Sequence, residues 1–511
     1  MAGAALLPLV PAAPAFAADN VICVGNPVGA CNQNAASISA AITAANANSV
    51  ADTILLGPGT YSDGPYDLNG WAHPLTLKGA GQDATFLTLP AAASADSYVT
   101  ASYATVQDLT VKMAAATSLS DAGLELLLST AVAVTVDGAG TQDATGIVAT
   151  SSAVSMSAVK MPIGTDDRGI FSLGGATVSD STINGDFGFA HSGNEADTLS
   201  RAMIEAGVLG VSATSGTVTV DDAVIDLGSS AGAGLAAVNL NASASPKAIL
   251  ANHVTIVGGA AGSKGAYADA ANPDVLQVST IQLTNSIIRG PATDLVVTAG
   301  NKGGLGGPST ATITTSYSSW STKSETAAAN GTAQVVVGPG NLDVDPAFRN
   351  AAGGDYRLMA GSPVVDHGDP AAAGPTADLD GQARVVDGDG NGTAVRDMGA
   401  YELSVVPVPV VPAPVAPAAA VSDTVAPGTR FTSKPKKVVT KGTVRFRFSS
   451  NETGVTFTCR LDKRAWRSCT SPKKVKVKVG KHRFSVRATD AAGNTDATPA
   501  TYRFKRVHSP S

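Results

Sequence analysis

The sequence predicts an all-β protein, in which a right-handed parallel β-helix solenoid with a short N-terminal capping helix precedes a small C-terminal β-sandwich. Three observations support this prediction. The composition combines 54 Gly with 15% charged and 5% aromatic residues, which favours short turns between β-branched strands over helical bundles. Strand-sized segments recur at intervals of about 30 residues, as the coils of a solenoid do. A hydrophobic fraction of 44% is sufficient for most of the chain to fold.

Residues 1–17 predict a signal peptide. An apolar run ends in Ala15-Phe16-Ala17, the small-x-small pattern at which signal peptidase cleaves. The basic segment that normally precedes such a run is missing, so either the true start lies upstream or the signal is weak, and we favour the upstream start. No later stretch approaches the roughly 20 continuous apolar residues of a membrane span. We therefore expect a secreted monomer, extracellular or associated with the cell wall.

An amphipathic helix is predicted in residues 37–48, where Ile38, Ala41, Ile42 and Ala45 recur at helical spacing. Strand-sized segments separated by Gly or Pro turns follow it, in residues 53–56, 57–61 and 75–81. A helix that covers the end of a stack of short strands resembles the beginning of the pectate-lyase-like β-helix superfamily. The resemblance covers residues 37–81 and implies a β-helix that occupies residues 18–340.

Loose repeats follow the predicted cap. Five segments share apolar alternation and a central polar position: residues 106–111, 178–183, 220–225, 251–256 and 283–288. The best-matched centres are 30, 33 and 30 residues apart, at Asp222, Asn252, Asn285 and Thr315. Equivalent residues of successive coils stack on one another, so the repeat predicts an apolar core column and a polar column. We therefore interpret these Asp and Asn residues as structural.

Residues 341–403 show a different pattern, in which five blocks occur in order. They read DPAF at 345–348, DYRL at 355–358, GSPVVDHG at 361–368, DGQAR at 380–384 and DMGAYE at 397–402. This order resembles the C-terminal segment of bacterial surface β-helix proteins of the choice-of-anchor Q type. The resemblance implies a surface protein whose anchoring device lies downstream, and it does not imply an enzymatic activity.

The C-terminal part of the chain begins with a low-complexity stretch in residues 404–427, whose spaced prolines favour an extended polyproline II linker. Residues 428–511 predict five strands separated by turns, as in a small β-sandwich. Three of its segments resemble bacterial Ig-like domains: residues 455–462, 466–472 and 480–494.

The four cysteines fall into two close pairs, Cys23 with Cys31 and Cys459 with Cys469. Local disulfides are the natural interpretation in an oxidising compartment. The Ig-like resemblance implies that the second pair staples neighbouring strands. No zinc site is expected, because no His accompanies either pair at ligand spacing.

Charge divides the chain into two parts. From Asp423 onward, 21 Lys and Arg stand against 5 Asp and Glu, a balance of +16, whereas the preceding residues hold 14 against 36, a balance of −22. The two parts must therefore have different partners.

Lys474, Lys476 and Lys478 alternate, which places three ammonium groups on one face of a strand. We expect this face to attract a cell-wall polymer or an acidic polysaccharide, and an exported protein is not expected to bind nucleic acid. The alternative is a solvated edge strand that the lysines protect against aggregation.

Asp166, Asp167 and His191 are the candidate catalytic residues. Paired carboxylates with a His on successive coils resemble the site of polygalacturonase-type hydrolases, which use one carboxyl as acid and another as base. The flanking motifs of that family are missing here, and adjacent residues of a strand face opposite sides. Arg168 is the only candidate base for a lyase, and the acidic β-helix should repel polyuronate unless calcium bridges the two.

A possible calcium loop is formed by Asp387, Asp389 and Asn391, which place oxygen donors at alternate positions with Gly392 at the sixth. The acid that should close the loop is displaced to Asp397. Calcium is the one cofactor that the sequence suggests, and an ordinary turn-forming Asp-Gly run is the alternative.

Together these patterns favour a non-catalytic cell-surface or adhesion-type protein, whose β-helix displays a groove for carbohydrate or another partner. A polysaccharide hydrolase or lyase that acts through Asp166, Asp167 and His191 is the alternative function.

Overall fold

The structure is a computed structural model that describes residues 20–89, 97–113, 121–238, 246–272, 274–301, 307–371, 374–403, 425–490 and 492–508. The predicted signal peptide and most of the predicted linker lie outside the described residues. The chain divides into two units, Met1–Val406 and Pro407–Ser511. Among the helices of the described residues, none is long and apolar enough to cross a membrane.

The first unit is a parallel β-helix, so the predicted fold class is confirmed. The strands of its large sheet pair in parallel with strands of the coils before and after them. One inward column illustrates the stacking, because its members pair in succession and are all buried: Val106, Ala131, Val154, Val178, Leu199, Val220, Ala251 and Leu283. Every second residue of a strand points inward, so the stacked coils share one continuous apolar core.

The N-terminal end of the stack is covered by the predicted helix, α1 (Ile38–Asn46). Ser37 caps it, because its hydroxyl accepts the Ala40 amide proton at 3.1 Å. The helix buries the four residues that the sequence places on its apolar face. A disulfide joins Cys23 to Cys31 beside it, with their Cα atoms 5.8 Å apart.

The strands of the coils have 3–11 residues, with two exceptions of 15 and 17 residues. The N-terminal coils contain β1 (Asn20–Val24), β2 (Gln33–Ala35), β3 (Asp52–Leu56), β4 (Gly59–Tyr61), β5 (Tyr66–Asn69), β6 (Leu75–Lys78), β7 (Thr85–Leu87), β8 (Ser97–Ser102), β9 (Ala104–Lys112), β10 (Ala122–Leu127), β11 (Thr130–Asp137), β12 (Thr145–Thr150), β13 (Ala153–Ser155) and β14 (Ala158–Lys160). The later coils contain β15 (Arg168–Ser172), β16 (Thr177–His191), β17 (Asp197–Ala213), β18 (Gly216–Asp226), β19 (Ala233–Ala237), β20 (Lys247–Val257), β21 (Lys264–Ala271), β22 (Val278–Thr284), β23 (Ile287–Arg289), β24 (Thr293–Gly300), β25 (Ser309–Ser316), β26 (Lys323–Ala327) and β27 (Gly331–Val337).

A second column marks one bend of the coil, where each residue has a positive φ of 46–58°: Asp108, Ala133, Met156, Asp180, Arg201, Asp222, His253, Asn285 and Tyr317. Asp and Asn tolerate this left-handed conformation better than most residues, which explains why polar residues recur here. The sequence repeat therefore located the column, but two of its four centres were wrong. The register aligns Asp222 with His253 rather than Asn252, and Asn285 with Tyr317 rather than Thr315.

The C-terminal segment of the first unit follows the last coil and contains little regular structure. Its elements are β28 (Phe348–Asn350), a 3₁₀ turn (Ala351–Gly353) and β29 (Asp355–Leu358). The segment returns along the coils and bonds to the second column. For example, the amide of Asp369 donates to the Asn285 side chain at 2.6 Å, and the amide of Gly399 donates to the Asn285 carbonyl oxygen at 2.7 Å.

The second unit is a small two-sheet β structure. One sheet contains β30 (Thr429–Ser433), β32 (Thr443–Ser450) and β35 (Lys473–Lys476). The other contains β31 (Val438–Val439), β33 (Thr456–Leu461), β34 (Arg467–Ser468), β36 (Gly480–Thr489) and β37 (Ala500–Arg506). Both sheets contribute to one aromatic core, where the rings of Phe446 and Phe484 stack with centroids 4.2 Å apart. The second predicted disulfide, Cys459–Cys469, is present.

Candidate functional site

A groove runs along one side of the β-helix. Its lower part, about 560 Å³, crosses the coils that contain Asp166, Glu205 and Val208. Its upper part, about 750 Å³, lies between the later coils and the C-terminal segment, where Tyr356 forms part of the wall. Gly228 lines both parts, so the two cavities adjoin. Concave features of this kind are the usual ligand sites of proteins.

The floor of the groove carries two carboxylates on adjacent coils, since Glu205 pairs in register with Asp226. Glu205 is exposed and accepts a hydrogen bond from the Asn184 side chain at 2.7 Å. Asp226 accepts the Tyr356 hydroxyl at 2.5 Å. Burial and this hydrogen bond raise the pKa of Tyr356, so its phenol stays protonated and donates to Asp226. The C-terminal segment is thereby tied to the groove floor.

Asp186 fixes the lower rim of the groove. Its carboxylate accepts the backbone amide protons of Gly164, Thr165 and Asp166 at 2.8, 2.8 and 2.6 Å. A Cβ on Gly207 would lie only 1.9 Å from the Asp186 side chain, so this glycine leaves the space that the carboxylate occupies. The result is a fixed turn in which the Asp166 side chain remains exposed in the groove.

Asp167, the second candidate catalytic residue, is fully buried. One oxygen accepts the Ala144 amide proton at 2.7 Å, and the other accepts the Thr165 hydroxyl. The side chain thus links two consecutive coils and points away from the groove that Asp166 lines. Asp166 has a positive φ of 58°, so the two carboxylates diverge at a turn and not through the alternation of an extended chain.

His191, the third candidate, lies in the interior at the far end of β16. Its Nδ1 is 2.6 Å from a carboxylate oxygen of Asp197, and both side chains are fully buried. His191 pairs with Ser172, the last residue of β15. Asp167 lies at the other end of β15, immediately before its first residue, Arg168. Five residues of extended chain span about 16 Å. The structure therefore does not bring the three candidate residues together.

The candidate calcium loop brings a different set of carboxylates together. Asp387 and Asp389 meet Asp366, and one oxygen of each lies within 4.8 Å of the others. Asp397 is not part of this group, because it is fully buried and accepts the amide protons of Asp366 and Leu403 at 2.7 and 2.6 Å. Three converging carboxylates match the oxygen ligands that calcium prefers.

Buried charges hold the C-terminal segment on the coils. Arg384 is fully buried and donates through Nε to Asp222 of the second column at 2.9 Å. Its Nη1 lies 3.5 Å from Glu402. Burial raises the pKa of Asp222 to about 6, although Arg384 opposes the shift. Burial, and then the nearby charge of Asp397, raise the pKa of Glu402.

His253 lies next to Asp222 in the second column and is also fully buried. Burial lowers its pKa well below the usual value, and the charges of Arg384 and Arg396 act in the same direction. The imidazole is therefore neutral. Within the described residues, neither ring nitrogen has a hydrogen-bond partner.

The three lysines predicted to bind polyanions are exposed in the second unit. Lys474 and Lys476 belong to β35, where they pair with Arg445 and Thr443 of β32. Lys478 follows the strand. The alternation of buried and exposed residues along β32 places Arg445 on the same outer face, so this face carries more positive charge than the sequence pattern alone indicated.

Comparison with known proteins finds only distant structural likeness. No protein-family model matches the chain, and no curated protein matches it. A crystal structure of pectate lyase Pel9A is similar at 13% identity and a TM-score of 0.42, covering 76% of this chain and 97% of that one. The A-module of the Azotobacter vinelandii mannuronan C-5 epimerase AlgE6 is similar at 14% identity and a TM-score of 0.27, covering 60% and 94%. A pectin methylesterase in complex with a hexasaccharide is similar at 14% identity and a TM-score of 0.24, covering 50% and 80%. Such distant likeness transfers no residue role to this chain.

Proposed function

We propose that this chain is an exported cell-surface protein whose β-helix holds a polysaccharide in the groove without cleaving it, and whose basic unit attracts an anionic wall polymer. The observation that carries the proposal is the groove itself, which presents exposed carboxylates while Asp167 and His191 are engaged inside the coils.

The chemistry of the groove suits an uncharged or cationic sugar chain. Asp166, Glu205 and Asp226 offer carboxylate oxygens, which accept hydrogen bonds from sugar hydroxyls. Ile163 and Val208 are exposed beside them and provide apolar contact for the C–H faces of a sugar ring. The carboxylates would repel polyuronate. An acidic polymer is therefore assigned to the basic unit, through Lys474, Lys476 and Lys478.

Export is supported by two independent features. The small-x-small pattern at residues 15–17 fits a cleavage site. The two disulfides fit an oxidising compartment. Placement of the protein on the cell surface rests on the resemblance of residues 341–403 to the choice-of-anchor Q segment.

Calcium binding by the C-terminal segment is part of the proposal. Asp366, Asp387 and Asp389 would be the ligands, and the ion would neutralise three carboxylates that otherwise repel one another. Its role would be to stabilise the loop, because none of the three lines the groove.

A polysaccharide hydrolase or lyase is the second candidate function, favoured by the presence of several carboxylates in one groove. Two assays separate the candidates. Release of reducing sugar and of unsaturated uronide is measured on plant and bacterial polysaccharides, with calcium and with chelator. Binding of the same polysaccharides is measured by affinity electrophoresis.

The variants target residues that the structure exposes. We expect no turnover from the wild type, and a binding affinity at least tenfold weaker in Glu205→Gln, because a hydrogen bond to a charged group contributes about 1.5–3 kcal/mol. Val208→Ser should weaken binding, whereas the matched change Val278→Ser, at an exposed valine outside the groove, should not. Turnover that is lost in Asp166→Asn would establish the enzyme instead, and unchanged binding in both groove variants would exclude the groove as the site.

A further inference from the structure

We propose that the second unit has another polyanion site, on the outer face of its five-stranded sheet, and that this site binds an acidic polysaccharide chain. The inference rests on the proposed role of the basic unit and extends it to a surface where the sequence pattern of Lys474, Lys476 and Lys478 does not lie. Four cations form the centre of this face, which we call the paired-cation face: Lys481, Arg483, Arg503 and Lys505.

Strand register brings these four residues together. In the antiparallel pair β36 and β37, Lys481 lies directly opposite Lys505, and Arg483 directly opposite Arg503. Phe484 and Phe504 alternate with them and belong to the core, so the four cations point outward. Directly opposed side chains of like charge destabilise a sheet. Two consecutive pairs of this kind are therefore unfavourable unless an anion lies between them.

The protein itself does not supply that anion. Within residues 425–490 and 492–508, no carboxylate oxygen lies within the 4.0 Å ion-pair distance of any of the four cations. Asp462 lines the same cleft as these cations, but its oxygens are engaged by the Arg483 backbone amide at 2.8 Å and by the His482 ring at 2.9 Å. The charge of the paired-cation face is thus available to a ligand.

The face also has a concave edge. The four cations line a cleft of about 900 Å³, together with Lys437, Lys463 and one carboxylate, that of Asp462. Arg guanidinium groups form two parallel hydrogen bonds with a carboxylate or sulfate. The two cation pairs are two residues apart along the strands, about 7 Å, so they fit a polymer that repeats its negative charges along an extended chain.

An aromatic ring extends the face. Trp466 lies 4.5 Å from the guanidinium carbons of both Arg460 and Arg487, and these arginines are on the same sheet, since Arg460 pairs with Ser485. The indole ring packs against both guanidinium groups, so an aromatic surface stands beside positive charge. Sugar rings that carry acidic groups match this combination.

Lysine footprinting of the full chain tests the proposal with polygalacturonate as the probe. Acetylation of each lysine is followed by mass spectrometry with and without the polymer. We expect at least tenfold slower acetylation of Lys481 and Lys505 when polymer is present, and relief of this protection by high salt. Protection at Lys474 and Lys476 alone would overturn the inference and leave the proposed function standing, and protection at neither face would remove both.

Charge-matched variants complete the test. One replaces the paired-cation face with glutamine, at Lys481, Arg483, Arg503 and Lys505, and the other replaces four cations of the opposite sheet, at Arg445, Lys474, Lys476 and Lys478. Both remove the same charge, and the first relieves like-charge repulsion, so it should fold. We expect the first variant to lose at least tenfold in affinity for polygalacturonate. Wild-type affinity in this variant, or tighter binding of single-stranded DNA than of polygalacturonate by the wild type, would refute the proposal.

Discussion

Replacement of Arg384 by methionine should release the C-terminal segment from the coils. The guanidinium of Arg384 neutralises Asp222 on a coil, and it contacts Glu402 within the segment, in a region where all three side chains are buried. Loss of one partner from a buried ion pair costs about 3–5 kcal/mol, because the other charge stays buried and uncompensated. About 1.4 kcal/mol changes an equilibrium constant tenfold. The equilibrium constant for opening of the segment should therefore rise roughly 100-fold to 3,000-fold.

Hydrogen exchange measured by mass spectrometry reports this opening directly. Amides of residues 346–371 and 374–403 should lose protection in Arg384→Met, while those of residues 145–150 in an early coil should not change. Arg357→Met is the matched control, because Arg357 pairs with Asp380 on the surface, where an ion pair contributes about 0–1 kcal/mol. The double variant Asp222→Leu/Arg384→Met should recover much of the protection, since it leaves no unpaired charge on the coil. Unchanged exchange in the single variant, or no recovery in the double variant, would refute the reasoning.

Three further predictions concern pH, the disulfide and calcium. Burial raises the pKa of Glu402, so the protonated Glu402 side chain stabilises the fold fully below the ordinary glutamate pKa of about 4.3, and this stabilisation is lost as pH rises through the raised pKa. The urea midpoint should therefore fall with rising pH, and Glu402→Gln should make that fall shallower. Replacement of Cys459 and Cys469 by serine should cost the second unit about 2.5–3 kcal/mol, from the entropy of a short closed loop, and an unchanged guanidinium midpoint would contradict this. Calcium should raise the melting temperature of the wild type but not of Asp387→Asn, and calorimetry that detects equal calcium binding in both would exclude this loop.

Sequence repeats identified the coil frame because the coil has a fixed chemical requirement at each turn. The five repeated segments begin at residues that stack in one core column, such as Val220 and Ala251. The third position of each is the left-handed residue, which explains the Asp and Asn found there. Where that position holds His253 or Tyr317 instead of Asp or Asn, the inferred centre moved to a neighbouring residue, Asn252 or Thr315. Apolar alternation therefore determines the register better than the polar position does.

The groove and the buried ion pair could not be derived in the same way. Glu205 and Asp226 become neighbours only when the register of their coils is known, and no local motif distinguishes them from other surface acids. Arg384 reaches Asp222 across 162 residues, and Asp366 joins the calcium loop through the path of an irregular segment. Short-range spacing predicts local structures such as the two disulfides, but it does not reveal contacts that the return of the chain creates.

The groove depends on that returning segment, because Tyr356 and its neighbours form one wall while coil residues form the floor. The Tyr356 hydroxyl donates to Asp226, and Arg384 donates to Asp222. Both acceptors belong to β18, so the segment is bound to one strand at two positions. Opening of the segment would remove the wall and expose Asp226 without changing any residue of the lower groove. The Arg384→Met variant should therefore lose polysaccharide affinity although Arg384 lines neither part of the groove. The ion pair and the groove are thus two consequences of one docking event, in which buried charge fixes the position of the segment and the segment shapes the surface that we propose binds the ligand.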